Sequence, residues 1–539
     1  MAEQRLEANN NMASEAPAAP ANHRNKRFAI ACALLASTTS IILGYDIGVM
    51  SGAAIFIKKD FNLDDNKMQI LLGILNVYSL VGSYAAGFTS DWIGRRYTIV
   101  LAAGIFFAGA LLMGFATGYA FLMVGRFVAG IGVGYALMIA PVYTAELSPA
   151  SSRGFLTSLP EVFINVGILL GYVSNYAFSN LRTSLGWRFM LGVGAVPSVF
   201  LAAGVLAMPE SPRWLVMRGR LREARRVLER TSDSPEEALL RLQEIKAAAG
   251  IPADCDDDDY VVPKGAGKTS GGPGTEKSVW KDLLLRPTPK VRRAMLTAVG
   301  IHFFQQASGI DSVVLYSPRV FEKAGIRQEK KLLATTVAVG FVKTLFILVA
   351  TFLLDRVGRR PLLLASTGGM VVSVLGLGLG LTLVDHGRKE AVTLCIMAIL
   401  FYVAFFSIGM GPIAWVYGSE ILPLRLRAQG ASIAVAVNRL TSGLITMTFI
   451  SLYNAITLGG SFFLYGGVTV IAWVFFFTCL PETRGRTLEE IDDLFGKTEK
   501  GEEKAPTDVV EMPAVNSTNA NATTQRHEEE DATIKYISE

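Results

Sequence analysis

The stretch Asp91-Trp-Ile-Gly-Arg-Arg96 returns later in the chain as Asp355-Arg-Val-Gly-Arg-Arg360. Two further pairs follow in the same order. Val142-Tyr-Thr-Ala-Glu146, with Pro149 and Arg153 behind it, returns as Val416-Tyr-Gly-Ser-Glu420 with Pro423 and Arg427, and Pro209-Glu-Ser-Pro-Arg213 is echoed by Pro481-Glu-Thr-Arg484. One Gly-Arg-Arg loop on its own is a plain turn that carries charge. Three pairs in matching order are an internal repeat, which makes two similar halves related by a parallel repeat.

What lies between the repeated loops decides the fold class. The chain has 539 residues, 51% of them apolar and 18% charged, with a mean hydropathy of +0.38. Such a composition suits lipid as solvent. The apolar residues come in blocks of about 20, the length a helix rising about 1.5 Å per residue needs to cross about 30 Å of hydrocarbon. Blocks begin near Phe28, Met68, Tyr97, Phe121, Phe155 and Arg188, and again near Val291, Leu332, Pro361, Val392, Gly430 and Ser461. The expectation is an all-α membrane protein of twelve transmembrane helices, with six-helix halves over residues 28–208 and 291–480. Residues 1–27 and 481–539 read as tails, largely disordered, because they are poor in residues that build a core. Residues 209–290 read as a helical insert, amphipathic over Leu221 to Ala249, followed by a Gly-rich linker.

The formal charge of +5 is too small and too scattered for nucleic acid and is better read as topology. Basic residues gather at Arg24, Lys26 and Arg27, at Arg95 and Arg96, at Arg356, Arg359 and Arg360, and at Arg425 and Arg427, all on one side of the alternating spans. Lys330 and Lys331 fall on the other. The positive-inside rule makes the richer side cytoplasmic and puts both termini there. Asp91, Arg95, Arg96, Glu146 and Arg153, with Asp355, Arg359, Arg360, Glu420 and Arg427, are therefore expected to form cytoplasmic ion pairs that hold the two halves together and break when that side opens. Four scattered cysteines imply no disulfide framework, and Gly267-Lys-Thr269 lacks both the earlier glycine and the strand of a phosphate-binding loop. No cluster of His, Cys or Ser has the spacing of a metal site or a nucleophile, so neither an enzyme nor a cofactor is expected.

Charged side chains inside the spans each need a reason, since one at the centre of a lone helix costs about 3 kcal/mol. Asp46 lies about seven residues before the outer end of the first span and Arg126 about six after the outer start of the fourth, so equal depth lets them pair. One reading is a fixed ion pair between helices; the other is a carboxylate that binds and releases a proton as coupling ion. Asp311 and Lys343, on consecutive spans and about 6 Å apart in depth, are expected to pair as well. Gln305, Ser308, Ser312 and Tyr316 make a polar stripe on the seventh span, and Ser158, Glu161, Asn165, Tyr172 and Asn175 one on the fifth. Such stripes are helix-joining hydrogen bonds or a lining for a polar solute. Glutamine amides suit adjacent hydroxyls, and Trp415, beside the helix break at Gly411-Pro412, offers a flat face for C–H groups.

Gly44-Tyr-Asp46, Asp91 to Arg96, Gly125-Arg126, Pro209 to Arg213, Gln305-Gln-Ala-Ser-Gly309, Asp355 to Arg360, Gly411-Pro412 and Pro481-Glu-Thr483 together resemble the sugar porter family of the major facilitator superfamily. The likeness runs from about Phe28 to about Phe495, and its wording resembles plant polyol/monosaccharide proton symporters. The resemblance implies a central cavity, Asp46 as proton-coupling carboxylate with Arg126 as partner, and Gln305, Gln306, Trp415 and Asn438 as sugar contacts. Four cavity positions depart from the usual sugar porter: Glu161 stands for a Gln, Asp311 for an Asn, Lys343 for a common Asn, and Arg439 for a common aromatic. These charges favour polyols as well as monosaccharides. The expected protein is a plasma-membrane symporter whose partners are a small sugar or polyol, a proton and the bilayer. A passive facilitator and a non-transporting nutrient sensor are the alternatives.

Overall fold

The computed structural model describes residues 23–148, 153–249, 251, 287–326, 328–388, 390–421 and 427–483. The greater part of both expected tails and the Gly-rich linker, with Gly267 to Thr269, lie outside the described residues. In the first half, α1 (His23–Ser37) and α2 (Thr39–Phe61) make the first span, which begins inside the segment expected as tail. The next four spans are α3 (Asp65–Ile93), α4 (Arg95–Gly114), α5 (Tyr119–Leu147) and α6 (Arg153–Phe178). Short α7 (Thr183–Gly192) and α8 (Ala195–Leu206) make the sixth. The insert carries α9 (Pro212–Met217), α10 (Leu221–Thr231) and α11 (Pro235–Ala248).

The second half opens on α12 (Pro289–Ala307) and α13 (Ile310–Lys323), followed by α14 (Glu329–Val357) and α15 (Arg359–Asp385). Its tenth span is α16 (Ala391–Phe405), a π-helical turn over Phe406–Met410, and α17 (Gly411–Glu420). Long α18 (Arg427–Ile456) and α19 (Leu458–Cys479) close the bundle. Among the described residues, eleven segments are long and apolar enough to cross a bilayer. The twelfth, the seventh in order, is interrupted. Gly309 has φ +87°, and a Cβ there would lie 2.8 Å from the Tyr465 ring. The seventh span is therefore not the single helix that its polar stripe implied.

Lipid explains the outer surface. Phe88, Phe200 and Val372 are 67%, 74% and 73% exposed, an arrangement that water would penalise and hydrocarbon does not. Helix association then rests on close backbone approach rather than on burying apolar surface. Gly44 and Gly48 of α2 face Gly167 and Gly171 of α6, where a Cβ on Gly44 would come within 1.9 Å of the Ile164 carbonyl and one on Gly167 within 2.4 Å of the Ile41 carbonyl. Larger side chains would force the first and fifth spans apart.

The sequence repeat is also a repeat in space. Gly94 and Gly358 have φ +96° and +104° and open α4 and α15. The first backbone N–H groups of α4, on Arg95 and Arg96, donate to the Glu210 carboxylate at 2.9 and 3.2 Å. Those of α15, on Arg359 and Arg360, donate to Glu482 at 3.1 and 3.0 Å. Tyr143 donates to the Pro209 carbonyl at 2.6 Å and Tyr417 to that of Pro481 at 2.8 Å. In each half, one carboxylate satisfies helix N–H groups that have no intrahelical acceptor.

The insert has a small core of its own, with Leu215, Val216, Leu221, Leu228 and Leu242 buried. Ser234 accepts from the Glu237 N–H at 3.1 Å while Glu237 reaches back to the Asp233 N–H at 2.8 Å, a capping arrangement that starts α11. Arg241 donates to the carbonyls of Glu146 and Ser148, both at 3.2 Å, and Trp214 to that of Asp91 at 3.1 Å. The insert is thus fastened to the first half. The end of the bundle that bears it is called the insert face below, and the opposite end the far face.

Candidate functional site

Two groups of charged side chains lie inside the spans. In the first, the Arg126 guanidinium on α5 donates to both oxygens of Asp46 on α2, at 2.8 and 2.7 Å. The pair is 1% and 2% exposed. Arg126 also donates to the Leu71 carbonyl of α3 at 3.3 Å. Its Nη1 faces the carboxylate and its Nε a backbone carbonyl, and these bonds are what make a charge in this place tolerable.

The second group surrounds a narrow cavity between the halves, which leaves about 40 Å³ for the centres of water molecules. Seven of the residues expected to bind substrate line it: Glu161, Gln305, Gln306, Asp311, Lys343, Trp415 and Arg439. The eighth, Asn438, stands behind them as a bracket. Its amide donates to Gln305 Oε1 at 2.7 Å and to the His302 carbonyl at 3.1 Å, and its Oδ1 accepts from Gln306 at 3.3 Å and Arg439 Nε at 3.0 Å. Gln305 in turn donates to the carbonyls of Met410 and Gly411 at 3.2 and 2.9 Å. The π-helical turn and Pro412 interrupt the regular ladder there, and the glutamine ties the seventh span to that break. Gln306 Oε1 is buried with no partner among the described residues. Trp415 meets His302 edge to face at 5.4 Å and turns its side to the cavity.

Asp311 and Lys343 do not form the expected ion pair. Asp311 accepts a short hydrogen bond from the Ser442 hydroxyl, and the Lys343 ammonium lies 5.8 Å from the centre of the Phe406 ring. Depth along a straight helix was the wrong measure, because the break at Gly309 starts α13 afresh and changes the direction of Asp311. Ser442 also accepts from Asn76 of α3 at 2.9 Å. Asn76 and Ser442, absent from the expected site, join the two halves beside the cavity, one helical turn from the Leu72 carbonyl that Arg126 approaches at 3.5 Å.

The polar stripes divide between the two readings. Tyr172 donates to the Val314 carbonyl and Tyr316 to that of Thr446, both at 2.9 Å, and Asn175 to that of Gly48 at 3.0 Å. These three join helices. Glu161 and Gln305 line the cavity.

At the insert face, the side-chain ion pairs seen among the described residues lie inside the first half. Arg95 donates to Glu146 at 3.2 Å and to Asp91 at 3.1 Å, all within the first half, and Ser211 adds its hydroxyl to Glu146. Burial pushes the Glu210 carboxyl up from its ordinary range, against the pull of the Ser211, Arg96 and Arg95 N–H groups. Arg96 donates to the Leu206 carbonyl, and Arg360 to that of Phe477 at 2.7 Å. The side chains of Arg153, Asp355, Glu420 and Arg427 lie outside the described residues.

Among the described residues, polar links between the halves lie toward the far face. Arg319 of α13 reaches Asp65 at 3.2 Å, Lys59 pairs with Glu329, and Gln69 donates to Ser451 at 2.8 Å. Two pseudo-symmetric six-helix bundles that meet around a polar cavity are the architecture of a membrane carrier. The description "Sugar (and other) transporter" fits residues 32–495, and the chain belongs to that family, the sugar porters of the major facilitator superfamily. It is 66% identical over 482 residues to "Polyol transporter 5" of Arabidopsis thaliana, covering 89% of this chain and 88% of that one. It is 65% identical over 481 residues to "Putative polyol transporter 2" of the same plant, covering 88% and 93%. Among solved structures, the proton:xylose symporter XylE bound to 6-bromo-6-deoxy-D-glucose is similar with a TM-score of 0.71 at 28% identity, over 87% of this chain and 100% of that one. A partially occluded inward open form of XylE from E. coli gives 0.69 at 26%, over 86% and 100%.

Proposed function

We propose that this protein is a proton-coupled symporter that imports polyols and monosaccharides by alternating access, with protons as its coupling ion and no other cofactor. The polyol transporters among its relatives and the proton:xylose symporter among its structural neighbours support that reading. The observation that carries it is the Asp46–Arg126 pair, isolated from water and a few side chains from a cavity of amide, carboxylate and aromatic groups. Protonation of Asp46 removes the charge that holds Arg126. The guanidinium is then free to shift against α3, whose Asn76 binds Ser442 and through it Asp311 at the cavity wall. Proton and solute are thereby coupled through one helix. A passive facilitator needs no such titratable group.

In this reading the insert face and both termini are cytoplasmic, the far face is outside, and the membrane is the plasma membrane, where a proton gradient drives uptake. The test is Asp46→Asn in a cell that lacks polyol carriers. Uphill sorbitol uptake and the inward current at low external pH should both disappear, while exchange of labelled for unlabelled sorbitol continues. Accumulation against a gradient with unchanged pH dependence would remove the coupling role.

A further inference from the structure

Four ionisable side chains line one cavity, and each is held by an uncharged neighbour instead of an opposite charge. Asp311 has the Ser442 hydroxyl, Arg439 the Asn438 carbonyl, Glu161 the Asn165 amide at 3.5 Å, and Lys343 the Phe406 ring. No pair among the four closes to ion-pair distance among the described residues. Two acids and two bases sum to zero. They leave hydrogen-bonding capacity turned inward: carboxylate oxygens and the unpartnered Gln306 Oε1 as acceptors, the Lys343 ammonium and the second terminal nitrogen of Arg439 as donors.

We infer that the charge balance of Glu161 and Asp311 against Lys343 and Arg439 sets the charge of the accepted solute, selecting uncharged polyols and rejecting sugar acids and amino polyols. The inference rests on the polyol reading above and deepens it. A hydroxyl both donates and accepts, so successive hydroxyls of a neutral chain can donate to the acids and accept from the bases without disturbing the sum. An aldonate brings a carboxylate into a balanced, poorly hydrated site and leaves one negative charge uncompensated; a protonated amino polyol leaves one positive charge. Uncompensated charge in such surroundings is expensive. Removing one charge from the wall must then invert the preference: Glu161→Gln makes the cavity positive, and Lys343→Gln makes it negative.

The experiment measures equilibrium binding of tritiated sorbitol to the purified full-length protein, with displacement by gluconate and by protonated glucamine. The parent should bind sorbitol and be displaced by neither charged compound in the range where sorbitol competes. Glu161→Gln should bind gluconate at least tenfold more tightly than the parent does, with no gain for glucamine. Lys343→Gln should do the reverse. The double substitution should restore the preference for sorbitol. Should either single variant aggregate, Asp311→Asn and Arg439→Gln carry the same signs and replace them. The inference is overturned if the single variants keep sorbitol but gain nothing for the opposite charge, or if both compounds shift in the same direction. A parent that binds sorbitol no better than buffer fails earlier, and overturns the polyol reading itself.

Discussion

The two ends of the bundle use similar side chains for opposite purposes. At the far face, Asp65, Arg319, Lys59, Glu329, Gln69 and Ser451 make bonds that cross from one half to the other. At the insert face, the Arg95–Glu146 pair and the backbone bonds from Arg95 and Arg96 to Glu210, and in the second half those from Arg359 and Arg360 to Glu482, each lie within a half. Opening the far face must break the first set and can leave the second intact. The contrast predicts that the far-face contacts act as a latch, while the repeated loops fix helix starts inside each half.

Four measurements can break or sharpen that contrast. The largest effect is expected at the insert face, where Glu210→Ala strips the acceptor from the first N–H groups of α4. It should cost about 2–3 kcal/mol of stability, seen as a lower melting temperature of the purified protein. Glu210→Gln should cost much less, because burial already favours an uncharged side chain there and the amide oxygen still accepts. Equal losses for Ala and Gln would mean that the charge, not the hydrogen bonds, matters.

Next in size is Asp65→Asn at the far face. It should leave the melting temperature unchanged and favour opening of that face by up to about 1 kcal/mol, roughly fivefold in population. Spin labels on the exposed Lys67 and Lys330, one on each half, would report the change as a growing long-distance population. A fall in stability with no change in distance would make the site a structural contact rather than a latch.

Salt should act in the same direction as Asp65→Asn but more weakly. Asp65 and Arg319 are 39% and 22% exposed, whereas Arg95 and Glu146 are 9% and 10% exposed. Raising ionic strength from about 0.01 to 1 M shortens the screening length from about 30 to 3 Å, so the far-face distance distribution should respond and the insert-face network should not. The smallest effect belongs to Lys59→Gln. Its pair with Glu329 is about half exposed on both sides, and its loss should change the open population by less than about twofold.

Much of this was legible in the sequence. The repeated loops and block lengths carried the two-half helical fold, and Asp46 and Arg126 could be set opposite one another by counting residues from the ends of two unbroken helices. The same counting failed for Asp311, because the left-handed residue at Gly309 interrupts the helix that the count assumed. Asn76 and Ser442 gave no signal, since a lone polar residue in a span has the same composition whether it joins helices or faces lipid-buried neighbours. The spacing of Gly44, Gly48, Gly167 and Gly171 was present in the sequence as a pattern of small residues four apart, and it marks where the first and fifth spans touch.

By itself the sequence determined the solvent of this protein, the number and order of its spans, and the list of chemical groups placed within them, because hydropathy, chain direction and residue identity are local properties. Which of those groups meet was decided by tertiary structure. Arg95 and Glu146 pair within a half rather than across the two, Asp311 takes a hydroxyl rather than Lys343 as partner, and Asn438 stands behind the cavity wall rather than in it. The physical reason is that a hydrogen bond or ion pair is won or lost within about 1 Å. Position at that scale depends on helix breaks at Gly309 and Gly411-Pro412 and on how closely glycines let two backbones approach, and both are set only when the whole bundle packs.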